Sequence, residues 1–246
     1  MTNTKKRVLV TGGSRGIGKA ISAVLLENGY QVEILAKEIG VLKQTSKELG
    51  GIPYYCLDLA NTENVSKFTK SWQGEIYGLV NNAGVFRAER IDSISNEVDY
   101  IMAVNFFGLY YLTKGLVKYI KNKGRIVNIS SQLAFAARDG GCGPYGASKA
   151  AVNMLTKNWA RELGPRGITV NSVCPCWTIT AMSDSDIKRI AEIEGSNEKE
   201  YLETITSKIE LRRFNPPEEV ARVVAFFLSE ESSGITGQTP LMNQAF

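Results

Sequence analysis

Tyr145 and Lys149 stand four residues apart in Gly143-Pro144-Tyr145-Gly146-Ala147-Ser148-Lys149, a spacing that puts both side chains on one face of a helix. An ammonium beside a phenol favours the phenolate, bringing a group that otherwise titrates near pH 10 into range for proton transfer at neutrality. Spacing alone does not select this pair, since Tyr110/Lys114 and Tyr119/Lys123 repeat it. Context does. Only Tyr145 lies downstream of an apolar run ending in two serines, Arg125-Ile126-Val127-Asn128-Ile129-Ser130-Ser131, with small residues around it that leave room for a ligand. The chain has no histidine, which excludes Ser-His-Asp and Cys-His hydrolysis, His-ligated zinc and His-based proton transfer. Any acid or base must be Tyr, Lys, Asp, Glu or Cys.

A second constellation, Thr11-Gly12-Gly13-Ser14-Arg15-Gly16-Ile17-Gly18, follows a strand-like run and opens a helix-like one. Glycines let the backbone pass close to a pyrophosphate, and a helix N-terminus turns unpaired N–H groups and its positive dipole end toward it. The four cysteines, Cys56, Cys142, Cys174 and Cys176, are too few and too irregular for a disulfide framework or a zinc site, so no metal is expected. They read as reduced, partly buried thiols, with Cys142 notable for lying three residues before Tyr145.

These groups need a frame. With 246 residues, 43% of them hydrophobic, the chain can bury a substantial core in a single domain spanning 1–246. The net charge of +4 comes from cations scattered among acids, a pattern that speaks against binding nucleic acid or membrane. Residues 1–7 lead into a strand with no long apolar segment, so the protein is expected in the cytoplasm. Strand-like runs at 7–11, 31–36, 52–57, 78–81, 125–129, 168–173 and 239–243 alternate with helix-like ones at 17–28, 37–49, 63–72, 98–121, 145–163 and 217–228. Such alternation predicts an α/β Rossmann fold, a doubly wound seven-stranded parallel sheet with helices on both faces. Pro240 confines the last strand to an edge.

The glycine-rich turn, Asn81-Asn82-Ala83-Gly84 after the fourth strand, Asn105 in the next helix, Ser131 after the fifth strand and Tyr145-x-x-x-Lys149 occur in this order. Over nearly its whole length the chain resembles the short-chain dehydrogenases/reductases, closest in pattern to 3-oxoacyl-acyl-carrier-protein reductases and polyketide ketoreductases. The resemblance implies that Ser131 hydrogen-bonds a substrate oxygen and that Tyr145 donates a proton to it. It implies that Lys149 holds the nicotinamide ribose while lowering the tyrosine pKa, and that Asn105 anchors a water linking Lys149 to solvent. Hydride would come from a nicotinamide cofactor. Ser131 precedes Tyr145 by fourteen residues and Ser130 by fifteen, longer than is usual in the family; the extra length falls in Arg138-Asp139-Gly140-Gly141, and Ser131 is taken as the catalytic serine.

Around the cofactor the resemblance implies contacts from Gly12, Ser14, Arg15, Gly16, Ile17 and Gly18, from Asp58 and Leu59 at the adenine, and from Asn81, Ala83, Gly84, Tyr145, Lys149, Pro175, Thr178 and Thr180 around the nicotinamide half. An acid at the end of the second strand would favour NAD; Ala36-Lys37 stands there with Arg15 nearby, and two cations at the 2′-phosphate position point to NADP(H).

Two departures from the family stand out: Pro175-Cys176 where Pro-Gly is usual, and Met242-Asn243-Gln244-Ala245-Phe246 in place of Asp-Gly-Gly. The charged segment 178–213, helix-like at 183–194 and 198–208, is expected to cover the substrate. The leading expectation is an NADPH-dependent reductase of a small or carrier-bound ketone, working as a homodimer or homotetramer. The competing ones are a dehydrogenase oxidising a sterol, sugar or other secondary alcohol, and a non-catalytic dinucleotide-binding regulator.

Overall fold

Val8 and Val10 turn to one side of the first strand and Leu9 to the other, and all three are buried. This strand is covered on both faces, as the apolar run without alternation requires. In the computed structural model, which describes residues 6–94 and 96–244, seven strands form one sheet in the order β3-β2-β1-β4-β5-β6-β7. They are β1 Arg7–Thr11, β2 Gln31–Ala36, β3 Tyr54–Cys56, β4 Ile76–Asn81, β5 Ile120–Ile129, β6 Thr169–Pro175 and β7 Leu241–Met242. All six pairings are parallel. The expectations for residues 1–5 and for Ala245-Phe246 lie outside the described residues.

Helices α1 Gly16–Glu27, α2 Ile39–Glu48 and the late helix Pro217–Leu228 send Ile21, Leu25, Leu42, Val220 and Val224 onto one face of the sheet. On the other face, α3 Thr62–Ser71, the helix Leu109–Leu116 and the long helix Gly143–Leu163 bring Val65, Leu112, Val152 and Trp159 against Leu9, Leu79 and Ile126. Each such side chain contributes about 1.5–3 kcal/mol when fully buried. In chain order the remaining helices are α4 Glu97–Met102, α5 Leu109–Leu116, α6 Gly143–Leu163, α7 Ala181–Glu194, α8 Glu198–Lys208 and α9 Pro217–Leu228. Among the described residues, no helix is long and apolar enough to cross a membrane.

The long helical stretch expected over 98–121 runs from Glu97 to Tyr119 without a gap but changes its hydrogen bonding along the way. It comprises α4, a π-helical segment Ala103–Gly108, α5 and a 3₁₀ turn Val117–Tyr119, after which β5 begins at Ile120. The early start follows from Ile120 pairing with Ile76 ahead of a register shift, with Lys123 at a φ of 61° where the chain bends back into line. Neither alternative Tyr/Lys pair survives as a site. Tyr110 packs on Trp159 with ring centroids 6.1 Å apart, and Lys123 belongs to a strand rather than to the helix of Tyr119.

The segment 178–213 forms the α7/α8 hairpin, and both its ends are fastened. Asn215 donates from its N–H to the Trp177 carbonyl at 2.9 Å and accepts from Ile179 N–H at 2.9 Å. Thr180 and Ser183 cap α7 reciprocally, at 3.2 and 3.0 Å. Asn243 then ties the exit: its Oδ1 accepts from Leu211 N–H and its Nδ2 donates to the Arg213 carbonyl, at 3.0 and 2.8 Å.

Candidate active site

The direction in which successive strands are added reverses between β1 and β4, and the carboxyl ends of the strands at such a point are the usual position for a ligand in an open parallel sheet. A cleft of about 560 Å³ opens at this place. Its floor is stitched by Thr11, whose hydroxyl accepts from the Asn82 and Ala83 N–H groups at 3.0 Å each. Asn82 Nδ2 donates to the Thr11 and Gly12 carbonyls at 2.9 and 3.2 Å, holding the glycine-rich turn in place. Gly12 has a φ of +63°, and a Cβ on Gly18 would stand 2.2 Å from the Gly12 carbonyl oxygen, so the turn closes on itself only with glycine at both positions. What results is a tight backbone cradle in front of the α1 N-terminus, and it fits a pyrophosphate.

Gly12, Ser14, Arg15, Gly16, Ile17, Gly18, Lys37, Asp58, Leu59, Ala83, Gly84, Ser131, Tyr145, Lys149, Pro175, Thr178 and Thr180 all line this one cleft, as expected. Asn81 does not. Its Nδ2 donates to Thr113 Oγ1 at 3.0 Å and Asn128 Oδ1 at 2.8 Å; Asn128 in turn donates to Thr156 Oγ1 at 2.9 Å. Asn81 thus belongs to a buried polar ladder between the sheet, α5 and α6. Successive residues of an extended chain face opposite ways, and it is Asn82 that turns to the cleft.

Asn105 is fully buried in the π-helical segment. Its Oδ1 accepts from Val85 N–H at 2.8 Å, and its two amide protons go to the Val85 carbonyl and Ser148 Oγ, at 2.9 and 3.1 Å. Both protons of the side-chain amide are committed to these partners. What the side chain does is clamp the Gly84-Val85 backbone to α6. A Cβ on Gly84 would lie 3.3 Å from Lys149 Nζ and 3.4 Å from Asn105 Oδ1, so glycine lets the chain pass the lysine.

The two serines divide their work. Ser130 Oγ donates to the Lys149 carbonyl at 3.1 Å and anchors α6 to the end of β5. Ser131 lies beside the Tyr145 phenol and draws its pKa down, and its hydroxyl accepts from Leu133 N–H at 3.2 Å. Both serines line the cleft, but the Ser130 hydroxyl is given to the Lys149 carbonyl, whereas Ser131 acts on the Tyr145 phenol. Lys149 is buried, donates from Nζ to the Ile129 carbonyl at 2.9 Å, and lies 5.6 Å from the Tyr145 ring centre.

Desolvation dominates the titration of both Tyr145 and Lys149. It pushes the Tyr145 phenol up to about 12, against the opposing pull of Ser131, and draws Lys149 down to about 8. The phenol holds its proton throughout the neutral range.

Arg15 and Lys37 reach the adenine-side rim, but each has a partner: Arg15 forms an ion pair with Glu38 at 2.8 Å, and Lys37 donates to the Tyr100 hydroxyl at 3.0 Å. Glu38 went unnoticed in the sequence because only the strand-end position was weighed. Cys176 lines the cleft with its N–H given to the Met242 carbonyl at 3.1 Å, so the replaced Pro-Gly and the altered C-terminus meet at one place. On the opposite wall stand Arg87, Arg138, Trp177 and Asp186. Burial pushes the Asp186 carboxyl up to about 7 although Arg138, Arg87 and Arg189 draw it down. Arg138 and Asp186 had no motif to announce them.

The fold and the grouping of Ser131, Tyr145 and Lys149 beside a nucleotide-shaped cradle define a class, and sequence comparison reaches it independently. The profile described as short chain dehydrogenase matches residues 6–190, and the chain belongs to the short-chain dehydrogenase/reductase family. It is 36% identical over 245 residues to oxidoreductase UcpA of Salmonella typhimurium, covering 95% of this chain and 91% of that protein. It is 35% identical over 245 residues to 3-oxoacyl-(acyl-carrier-protein) reductase FabG of Thermotoga maritima, covering 95% and 94%. The crystal structure of an actinorhodin polyketide ketoreductase variant with NADPH superposes with a TM-score of 0.89 at 29% identity, covering 98% of this chain and 97% of that one.

Proposed function

We propose that the protein is an NADPH-dependent reductase that converts a ketone, small or carrier-bound, to a secondary alcohol. One observation carries this reading: Ser131, Tyr145 and Lys149 line the same cleft as the glycine-rich cradle, with Lys149 Nζ 5.6 Å from the Tyr145 ring centre. The similarity to FabG and to a ketoreductase structure with NADPH supports the direction and the substrate class. On this reading the enzyme works in the cytoplasm as a homodimer or homotetramer.

The turn Gly12 to Gly18 would hold the pyrophosphate, Arg15 and Lys37 the 2′-phosphate, Asp58 and Leu59 the adenine, and Ala83, Gly84, Lys149, Pro175, Thr178 and Thr180 the nicotinamide half. Bound NADPH would supply the hydride. Ser131 Oγ donates to the substrate oxygen and polarises the carbonyl. Tyr145 gives its phenolic proton to that oxygen as negative charge develops there. The phenolate left behind faces the hydroxyl of Ser131 and the ammonium of Lys149, which spread its charge until a proton returns. Asn105 and Ser130 act at one remove, as positioning residues: Asn105 fixes Gly84 beside Lys149, and Ser130 fixes α6.

A panel of ketones and secondary alcohols offered with NADPH, NADH, NADP⁺ and NAD⁺, followed by nicotinamide absorbance, tests this. Reduction of ketones by NADPH is expected. Alcohol oxidation with NAD⁺ and no NADPH-dependent reduction would overturn it.

A further inference from the structure

Arg138 lies in the loop that carries the extra residue before Tyr145, and nothing in the proton-transfer scheme uses it. The loop is pinned where Gly141 accepts from Glu89 N–H at 2.9 Å, so the arginine stems from a fixed backbone. Its guanidinium sits over the Trp177 ring at 4.6 Å, and Trp177 is itself stacked on Phe214 at 5.4 Å and 14°. The platform is rigid, and Arg138 lines the cleft on it together with Ser131, Tyr145 and Asp186.

The hydrogen bonding of this guanidinium is incomplete. Nη2 donates to Cys142 Sγ at 3.3 Å, a weak acceptor, and Nε, shielded from solvent, meets no acceptor. Among the described residues, no carboxylate stands within ion-pair distance of Arg138. Its neighbour Asp186 is a weak counter-ion, because burial keeps that carboxyl partly protonated near neutrality. Arg87, which also lines the cleft, stands 3.9 Å from Glu97 and donates to the Phe86 carbonyl at 2.7 Å, and Glu194 is exposed. A guanidinium nitrogen shielded from water without an acceptor is costly, and a planar guanidinium matches a carboxylate in a two-pronged contact.

We propose that Arg138 recognises a carboxylate on the substrate, so that the compound reduced in this cleft is an oxo acid. The inference rests on the ketone-reducing reading given above. Arg138 and Tyr145 line the same cleft, so a carboxylate held by the one would belong to the same compound whose carbonyl the other protonates.

The test uses 2-oxobutanoate, 3-oxobutanoate and 4-oxopentanoate, each beside its methyl ester, with NADPH and the full-length protein. For at least one pair, the wild type should favour the acid over the ester at least ~10-fold in kcat/KM, as one charge-assisted contact implies. Arg138→Gln should bring that ratio close to one, and Arg138→Lys should keep part of it. The ratio is taken within each preparation, so partial misfolding cancels. A wild-type ratio near one for every pair, or a ratio that Arg138→Gln leaves unmoved, overturns the proposal. Equal losses for acid and ester in both Arg138→Gln and Asp186→Asn overturn it too, since they would make Arg138 a latch for α7.

A second arm titrates unreactive butanoate calorimetrically into protein saturated with NADP⁺. Saturable binding that Arg138→Gln abolishes is expected, and its absence overturns the site. Arg138-dependent butanoate binding with no ketone reduced would sink the reductase reading and keep the anion site. Reduction with a flat acid-to-ester ratio would do the reverse.

Discussion

Arg15 and Glu38 grip each other through two hydrogen bonds, Nη1 to Oε1 at 3.0 Å and Nη2 to Oε2 at 2.8 Å, at the rim of the cofactor half of the cleft. Both side chains are about half exposed, so the pair contributes about 0–1 kcal/mol. A charge-assisted contact from Arg15 to a 2′-phosphate contributes about 1.5–3 kcal/mol and wins. NADPH should therefore bind at least ~10-fold more tightly than NADH, and Glu38→Gln should widen the gap by freeing Arg15. Ala36→Asp combined with Lys37→Gln should narrow it. Fluorescence titration decides: equal dissociation constants for the two cofactors would make Arg15 and Lys37 ordinary surface charges.

Ser130 and Ser131 are adjacent yet do different jobs, and their alanine variants should separate. Ser131→Ala removes the hydroxyl that meets Tyr145 and should cut turnover by ~100-fold or more with little change in thermal midpoint. Ser130→Ala removes the hydrogen bond to the Lys149 carbonyl and should cost about 1–3 kcal/mol of stability. Turnover and thermal unfolding of both variants provide the check; a reversed pattern would exchange the roles.

Asp186 should make stability depend on pH. Its native carboxyl titrates near 7 and an unfolded aspartate near 4. Between these values the native state binds more protons than the unfolded chain, so this group's contribution is complete at low pH and is lost as pH rises through about 7. Asp186→Asn removes that dependence. The variant's melting temperature relative to wild type should climb between about pH 5 and pH 8, and a flat difference would contradict the burial of this carboxyl.

Phe107, Tyr111 and Met154 are 43%, 42% and 58% exposed on the π-helical segment, α5 and α6. Large apolar side chains left open on neighbouring helices suit a subunit contact. Light scattering should give a dimer or tetramer at micromolar concentration, and Tyr111→Glu with Met154→Glu should weaken it. A wild-type mass of 27.0 kDa would contradict the contact.

The helices with strong end signals were legible in the sequence. Pro144 opens α6 and Pro217 opens α9, and the α7/α8 hairpin falls within a few residues of the expected bounds. The helical stretch over 98–121 was legible but its π-helical segment was not, because such a segment keeps nearly helical apolar spacing and only its backbone hydrogen bonding differs. The polar run Lys121-Asn122-Lys123 also hides the start of β5, which is fixed by its neighbour Ile76 and not by its own composition. At the site, residues tied to one another by local spacing were found, Tyr145 with Lys149 above all. Those whose role arises from distant packing were missed: Asn82 beneath the glycine-rich turn, Glu38 against Arg15, and Arg138 over Trp177.

The central claim is that the Tyr145 phenol delivers the proton. Tyr145→Phe removes a single oxygen from a half-buried ring packed on Phe86 with centroids 5.2 Å apart, and should leave the cleft otherwise intact. Turnover of the best ketone with saturating NADPH should fall at least ~100-fold while the NADPH dissociation constant stays within about threefold, the signature of lost acid catalysis. Turnover within a few-fold of wild type in this variant would contradict the account.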